Sequence, residues 1–257
     1  MNPSIFTTVI DSYLPEPHSS LLNGIIFGVN LKASKDFFNQ LKIVGLLHIV
    51  VLSGMNITIL AVIIGNITTF LGKRLSTLIT ILMIILFILF VGPEAPIVRA
   101  GIMGVLTYVA VLTGRKNYTF YSLFLALMFI IVVFPDWLKS LSLYLSFGAT
   151  LGIMLFGPKP KDSPLTKELK TTLSAQLFTA PIIFLYFRQI SLIAVVSNLI
   201  IAPMIPVLMI FGFLTSILGK IGYSLGLIPS YICYILLSYI IKVIEILSKI
   251  PFAFIQF

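Results

Sequence analysis

A chain of 257 residues that is 59% hydrophobic and only 10% charged, at a mean hydropathy of +1.13, cannot present a water-facing surface; soluble domains carry roughly 25% charged residues. That composition excludes a soluble enzyme, a disordered chain and a disulfide scaffold, the last because Cys233 is the single cysteine. Lys and Arg number 17 against 8 Asp and Glu, a net charge of +9, which in a membrane protein reflects the cationic bias of cytoplasmic loops or a polyanionic substrate.

Residues 1–23 hold Pro3, Pro15, Pro17, Asp11 and Glu16 and lack the basic start and apolar run of a signal peptide. Residues 21–28 are apolar but too short to span, which predicts a dipping or surface segment. Residues 32–42, with Phe37, Phe38 and Leu41 to one side, predict an amphipathic interfacial helix. Residues 1–44 are therefore expected to be an extracytoplasmic or interfacial segment ahead of a transmembrane domain over 45–257. A crossing needs about 20 apolar residues, and such runs lie at 46–71, 75–91, 95–113, 118–134, 141–156, 171–187, 190–218 and 225–247. The expected fold is an all-α polytopic membrane protein with about eight transmembrane helices, some broken or re-entrant. Pro203 and Pro206 interrupt 190–218, making it one bent span or a re-entrant pair.

Loop charges orient the bundle. Lys73, Arg74, Arg115, Lys116, Lys159, Lys161, Lys167, Lys170 and Lys220 gather on one side, against Lys139, Arg188 and the interfacial Lys32, Lys35 and Lys42 on the other. The richer side is placed in the cytoplasm, with the N-terminus outside; a double crossing at 190–218 would move Lys220 and the C-terminus across. Lys242, Glu245 and Lys249, at i, i+3 and i+7, are expected to neutralise one another.

Polar groups inside spans are costly and mark function or interhelical hydrogen bonds. At 100° per residue His48 and Asn66 share one face of a continuous first span, with Asn56 about 80° away. Ser53 and Gly54 between them permit bending or close approach. That stripe is either structural glue or a water- or substrate-lined face. His48 has no second His or Cys at metal-ligand spacing and no in-span carboxylate to complete a triad. No metal, cofactor or enzymatic activity is therefore expected. Arg99, a turn into the third span and five residues after Glu94, must snorkel, pair with Glu94 or meet an anion. Gln176 precedes Pro181, and Asn198 precedes Pro203, whose freed backbone carbonyls form a kink or line a wet cavity.

Several of these strings agree with one family. Residues 45–56, GLLHIVVLSGMN, resemble the Gly-Leu-x-His to Ser-Gly-Met-Asn signature of the ComEC competence family. Residues 96–103, PIVRAGIM, are similar to its Pro-x-x-Arg-Ala-x-x-Met element, and 145–149, LSFGA, to its Leu-Ser-Phe-x-Ala element. Ala175-Gln176 with Pro181, then Phe187, Ser191 and 198–203, follow in order, and 21–28 match the segment that leads in. The resemblance covers about residues 20 to 220. It implies a channel of the bacterial cytoplasmic membrane that imports single-stranded transforming DNA in natural competence, and makes His48, Ser53, Gly54, Asn56, Arg99, Gln176, Asn198 and Pro203 candidate pathway-lining residues. Larger members add an OB-like domain and a metallo-β-lactamase-like domain. With only His18 and His48 the chain cannot build that second domain's zinc site, so a minimal member or a fragment is expected. It would act with a DNA receptor, a nuclease and a cytoplasmic motor, with room for a homo-oligomer. No Gly-x-x-x-x-Gly-Lys-Ser/Thr loop is present to hydrolyse ATP. The alternative is a secondary transporter for a small anionic solute.

Overall fold

The computed structural model describes residues 3–29, 31, 34–50, 53–116, 118–251 and 254–256; Lys32, expected in the interfacial helix, and Val51 and Leu52 of the 45–56 element lie outside them. In lipid a backbone must close its own hydrogen bonds, so apolar runs fold as helices. The helices are α1 (Ser4–Tyr13), α2 (His18–Phe27), α3 (Lys35–Val44), α4 (Leu47–Val50), α5 (Gly54–Thr68), α6 (Lys73–Val91), α7 (Ala95–Thr113), α8 (Thr119–Val133), α9 (Leu141–Phe156), α10 (Pro164–Phe187), α11 (Ala194–Ile201), α12 (Ile205–Ile221) and α13 (Tyr223–Ser248). Five segments are long and apolar enough to cross a membrane: Gly54–Leu71, Lys73–Val91, Ala95–Thr113, Ala194–Ile221 and Tyr223–Ser248. The shorter apolar α8 and α9 and the 24-residue α10 accompany them. The chain is an all-α polytopic membrane protein with broken helices.

The expected continuous helix over 46–71 does not form. α4 stops at Val50, and Ser53 is extended (φ −113°, ψ 165°) before α5 begins at Gly54. Serine competes for backbone hydrogen bonds and glycine is a weak helix former, so the Ser53-Gly54 pair favours a boundary. His48 and Asn66 consequently lie on different helices and share no stripe.

Of the two readings of 21–28, a dipping or a surface segment, the surface one is corrected. Every residue of α2 from Ser19 to Phe27 is buried, and Leu21, Leu22, Ile25 and Ile26 anchor the largest apolar core with residues of α3, α12 and α13. A short apolar helix avoids water as well inside protein as inside lipid. α1 and α2 form a hairpin that enters the bundle. Tyr13 stacks on Tyr223 at 4.8 Å and donates its hydroxyl to the Tyr223 carbonyl at 2.7 Å, beside the α12–α13 turn. The His18 ring stacks on Tyr234, and its Nε2 lies 3.0 Å from Ser238 Oγ.

α3 buries Phe37, Leu41 and Val44 at i, i+4 and i+7, while Phe38 stays exposed. Ser34 caps it by accepting the Phe37 N–H at 3.2 Å. Gly45 ends it in the left-handed region (φ 77°), with the Leu46 N–H donating to the Leu41 carbonyl at 2.9 Å. A methyl on Gly45 would lie 2.6 Å from Ala194 Cβ, so the same glycine admits α11.

Pro203 and Pro206 bend the chain without reversing it: Ile201, Ala202, Met204 and Ile205 all keep right-handed helical dihedrals through a 3₁₀ turn. A two-stranded antiparallel ladder pairs β1 (Gln189–Ser191) with β2 (Phe254–Gln256). Both strands therefore sit at one end of the bundle, an even number of crossings apart, and α11–α12 and α13 supply one each. The bent-span alternative holds.

Among the described residues the only ion pair is Asp162–Lys170, at 2.8 Å. The neutralising cluster expected of Lys242, Glu245 and Lys249 does not form, as suits exposed pairs that gain little. In the polar loop Asp162 accepts from Lys170 Nζ and, at 2.7 Å, from the Lys159 N–H, which holds its carboxyl below the usual range.

Two measurements check this scheme. Gly45→Ala should destabilise the detergent-solubilised protein by at least about 1 kcal/mol, from the left-handed backbone alone, seen as a lower midpoint of thermal unfolding. Because the folded carboxyl of Asp162 is depressed, its contribution is present at neutral pH and fades as pH falls through the folded value. Hydrogen exchange at 159–170, corrected for intrinsic rates, should accelerate there, and Asp162→Asn should accelerate it already at neutral pH.

Candidate functional site

Three family-like strings meet where α5 begins. Asn56, only 2% exposed in the first turn of α5, donates through Nδ2 to the Ile25 carbonyl at 2.7 Å. That carbonyl belongs to the last turn of α2, where the helix supplies no partner of its own. Ser53 donates to Asn56 Oδ1 at 3.4 Å, so the side chain at the N-cap position of α5 turns to Asn56 and caps no backbone N–H.

The second contact is with α7. Glu94 is extended and Pro96 sits in the first turn of α7, where its missing N–H costs nothing. Arg99 follows one turn later and faces Gly54. A methyl on Gly54 would lie 2.6 Å from Arg99 Nη2, 2.9 Å from Ala100 Cβ and 3.6 Å from the Pro96 carbonyl. Glycine at 54 is what lets the guanidinium reach the start of α5. Arg99 Nε is buried and has no hydrogen-bond partner, and of the alternatives offered for this side chain the pairing with Glu94 does not form. The reason is visible in the sequence interval: i to i+5 places the two on different sides of the helix, and Glu94 precedes its first turn.

Ser53, Gly54, Asn56 and Arg99 are thus brought together. The other candidates lie apart from them, with no hydrogen bond to that cluster among the described residues. His48, on α4, is exposed and donates through Nδ1 to the Gly45 carbonyl at 3.0 Å. Gln176 is half-buried on α10, and Pro203 is exposed in the 3₁₀ turn. Asn198 is buried on α11, with its Oδ1 unpartnered. α11 nevertheless touches the same stretch of chain upstream, since Ser197 donates to the Val44 carbonyl at 2.8 Å and Ser191 to that of Ile43 at 2.6 Å. Both serve orphan carbonyls at the end of α3. At the core, Leu21, Ile25, Leu41, Leu46, Ile201 and Ile244 help enclose a cavity of about 10 Å³, wholly apolar and at most water-sized.

Ser197 and the buried Asn23, which donates to Asp11 Oδ1 at 2.7 Å, did not stand out in the sequence. Asn23 lies in an apolar run too short to score as a span, and Ser197 is a small polar residue beside Asn198 inside the 190–218 run.

The family model described as Competence protein matches residues 25–257. An uncharacterized protein of Aquifex aeolicus is 28% identical over 172 residues, 66% of this chain and 41% of its own length. ComE operon protein 3 of Bacillus subtilis is 21% identical over 203 residues, 75% of this chain and 25% of its own. The chain therefore spans less than half of either relative. No solved structure matches.

Replacing Asn56 by Ala strands the Ile25 carbonyl in a buried site, which costs about 1–3 kcal/mol. Thermal unfolding of the purified variant in detergent should show that loss, whereas Asn66→Ala, at an exposed position, should leave the midpoint unmoved.

Proposed function

Because the chain belongs to the Competence protein family, we propose that it forms the passage by which single-stranded DNA crosses the bacterial cytoplasmic membrane during natural competence. The observation that carries this reading is the junction of Gly54, Asn56 and Arg99: polar and cationic groups gathered at the start of two adjacent spans in an otherwise apolar bundle. A strand charged at every nucleotide needs positive potential without a tight trap. Arg99 and the N-terminal dipoles of α5 and α7 supply it. The positive-inside rule applied to the basic loops puts this end outside, together with the N-terminus and the β1–β2 ladder, so the junction is an entrance.

The pocket at the apolar core, about 10 Å³, admits no nucleotide, so a strand passing there requires the helices around α2 to part. The unpartnered Asn198 Oδ1 and half-buried Gln176 become lining groups in the opened state. Lys159, Lys161 and Lys167, in or beside the polar loop, meet the emerging strand. No catalytic step and no bound metal or cofactor is proposed for the chain. A DNA receptor, a nuclease and a motor act with it, the motor supplying the work.

Transformation of a deletion strain carrying this chain alone, or with the rest of its competence apparatus, tests the reading. DNA uptake should return and depend on Arg99, with uptake of small anionic solutes unchanged. In a Cys233→Ala background, single cysteines at 56, 99 and 198 should react with a water-soluble thiol reagent during uptake. Folded variants that never label, or solute uptake in place of DNA uptake, would overturn it.

A further inference from the structure

Burying a guanidinium in an apolar bundle is tolerated when a carboxylate, a set of carbonyls or an exogenous anion faces it. Arg99 has none of the first: none of the chain's eight acidic residues lies within ion-pair distance, since the only such pair among the described residues is Asp162–Lys170. Nor does a carbonyl among the described residues accept from it, and its Nε is buried without a partner. What faces it is the start of α5, another positive group. The N–H groups of Gly54 and Met55 precede any intrahelical acceptor, and the Ser53 hydroxyl, which could have capped them, is committed to Asn56 instead. Two positive groups therefore lie side by side, so close that a methyl on Gly54 would meet Nη2 at 2.6 Å. In a low-dielectric interior that arrangement is unfavourable when empty and favourable around an oxyanion.

We propose that the first turn of α5 at Gly54 and the Arg99 guanidinium form one oxyanion site that takes a phosphodiester, the group common to a nucleic-acid backbone and a phospholipid headgroup. The planar fork of Arg99 matches two phosphate oxygens, and the backbone N–H groups of Gly54 and Met55 serve a third acceptor position. The site's existence stands on the geometry alone; the choice of a DNA strand as occupant rests on the passage proposed above.

The test uses the full chain in a phosphate-free maltoside detergent, as wild type, Arg99→Gln and Gly54→Ala. Without added anion, Arg99→Gln removes a half-buried charge that faces no carboxylate among the described residues and should unfold at a higher temperature than wild type. Titrating in oligodeoxythymidylate should raise the wild-type midpoint and leave that of Arg99→Gln in place. Fluorescence anisotropy should show the oligonucleotide binding about tenfold or more weakly to Arg99→Gln, and more weakly to Gly54→Ala, whose methyl displaces the guanidinium. In a parallel arm, nanodiscs containing phosphatidylglycerol are analysed for retained lipid by native mass spectrometry. Loss of lipid retention in both variants, with oligonucleotide binding equal to wild type, supports the site with a lipid occupant and removes Arg99 from the strand's path. Equal oligonucleotide binding and equal lipid retention in all three proteins overturns the site, whatever transformation shows. Gly54→Ala keeps the test open if Arg99→Gln fails to fold.

Discussion

A helix of ten residues extends about 15 Å, half the hydrocarbon thickness of a bilayer, so α2 can satisfy its ends only with protein. The surrounding structure answers that need group by group. Asn56 reaches the Ile25 carbonyl at one end. At the other, Glu16 accepts from the Ser20 hydroxyl at 2.7 Å, Asp11 accepts from Asn23 and His18 meets Ser238. These bonds tie α2 to α1, α5 and α13 and place the start of α5 beside the first turn of α7. The polar junction at Gly54 is thus a by-product of covering a helix too short to cross.

Charge is distributed with the same economy. Most lysines and arginines sit in loops or near helix ends, where water screens them, and Asp162 clasps two neighbouring groups in the polar loop. Arg99 departs from that pattern. Its position beside Gly54 is unfavourable within the chain taken alone, and natural proteins keep such arrangements where a ligand compensates. The core around Leu21, Ile25 and Ile201 is by contrast wholly apolar, so charge and apolar packing occupy adjacent regions of the bundle.

The eight apolar runs were legible because helix length and hydropathy report on lipid directly, and the strings at 45–56 and 96–103 made the family legible. The burial of α2 was not: hydropathy says that 21–28 avoids water but cannot say whether lipid or protein does the covering. The break before Gly54 was half visible. Ser53-Gly54 was marked as a place to bend, yet a full boundary depends on Asn56 finding Ile25, a partner 31 residues away. Gly54 and Arg99 were singled out separately, and only tertiary structure could put one against the other. The β1–β2 ladder left no signal, since three residues alternate too briefly to register.

The placement of α2 also governs how the protein must be made. Its hairpin emerges from the ribosome early, but the surfaces that receive it belong to α12 and α13: Tyr13 waits for a carbonyl 210 positions downstream and His18 for a hydroxyl 220 downstream. At about 5–20 residues per second that is a delay of tens of seconds at the slower rates. During that time an apolar, buried-type helix has no permanent host and must be held at the membrane surface or by an insertion factor, so the centre of the bundle is the last part to be assembled.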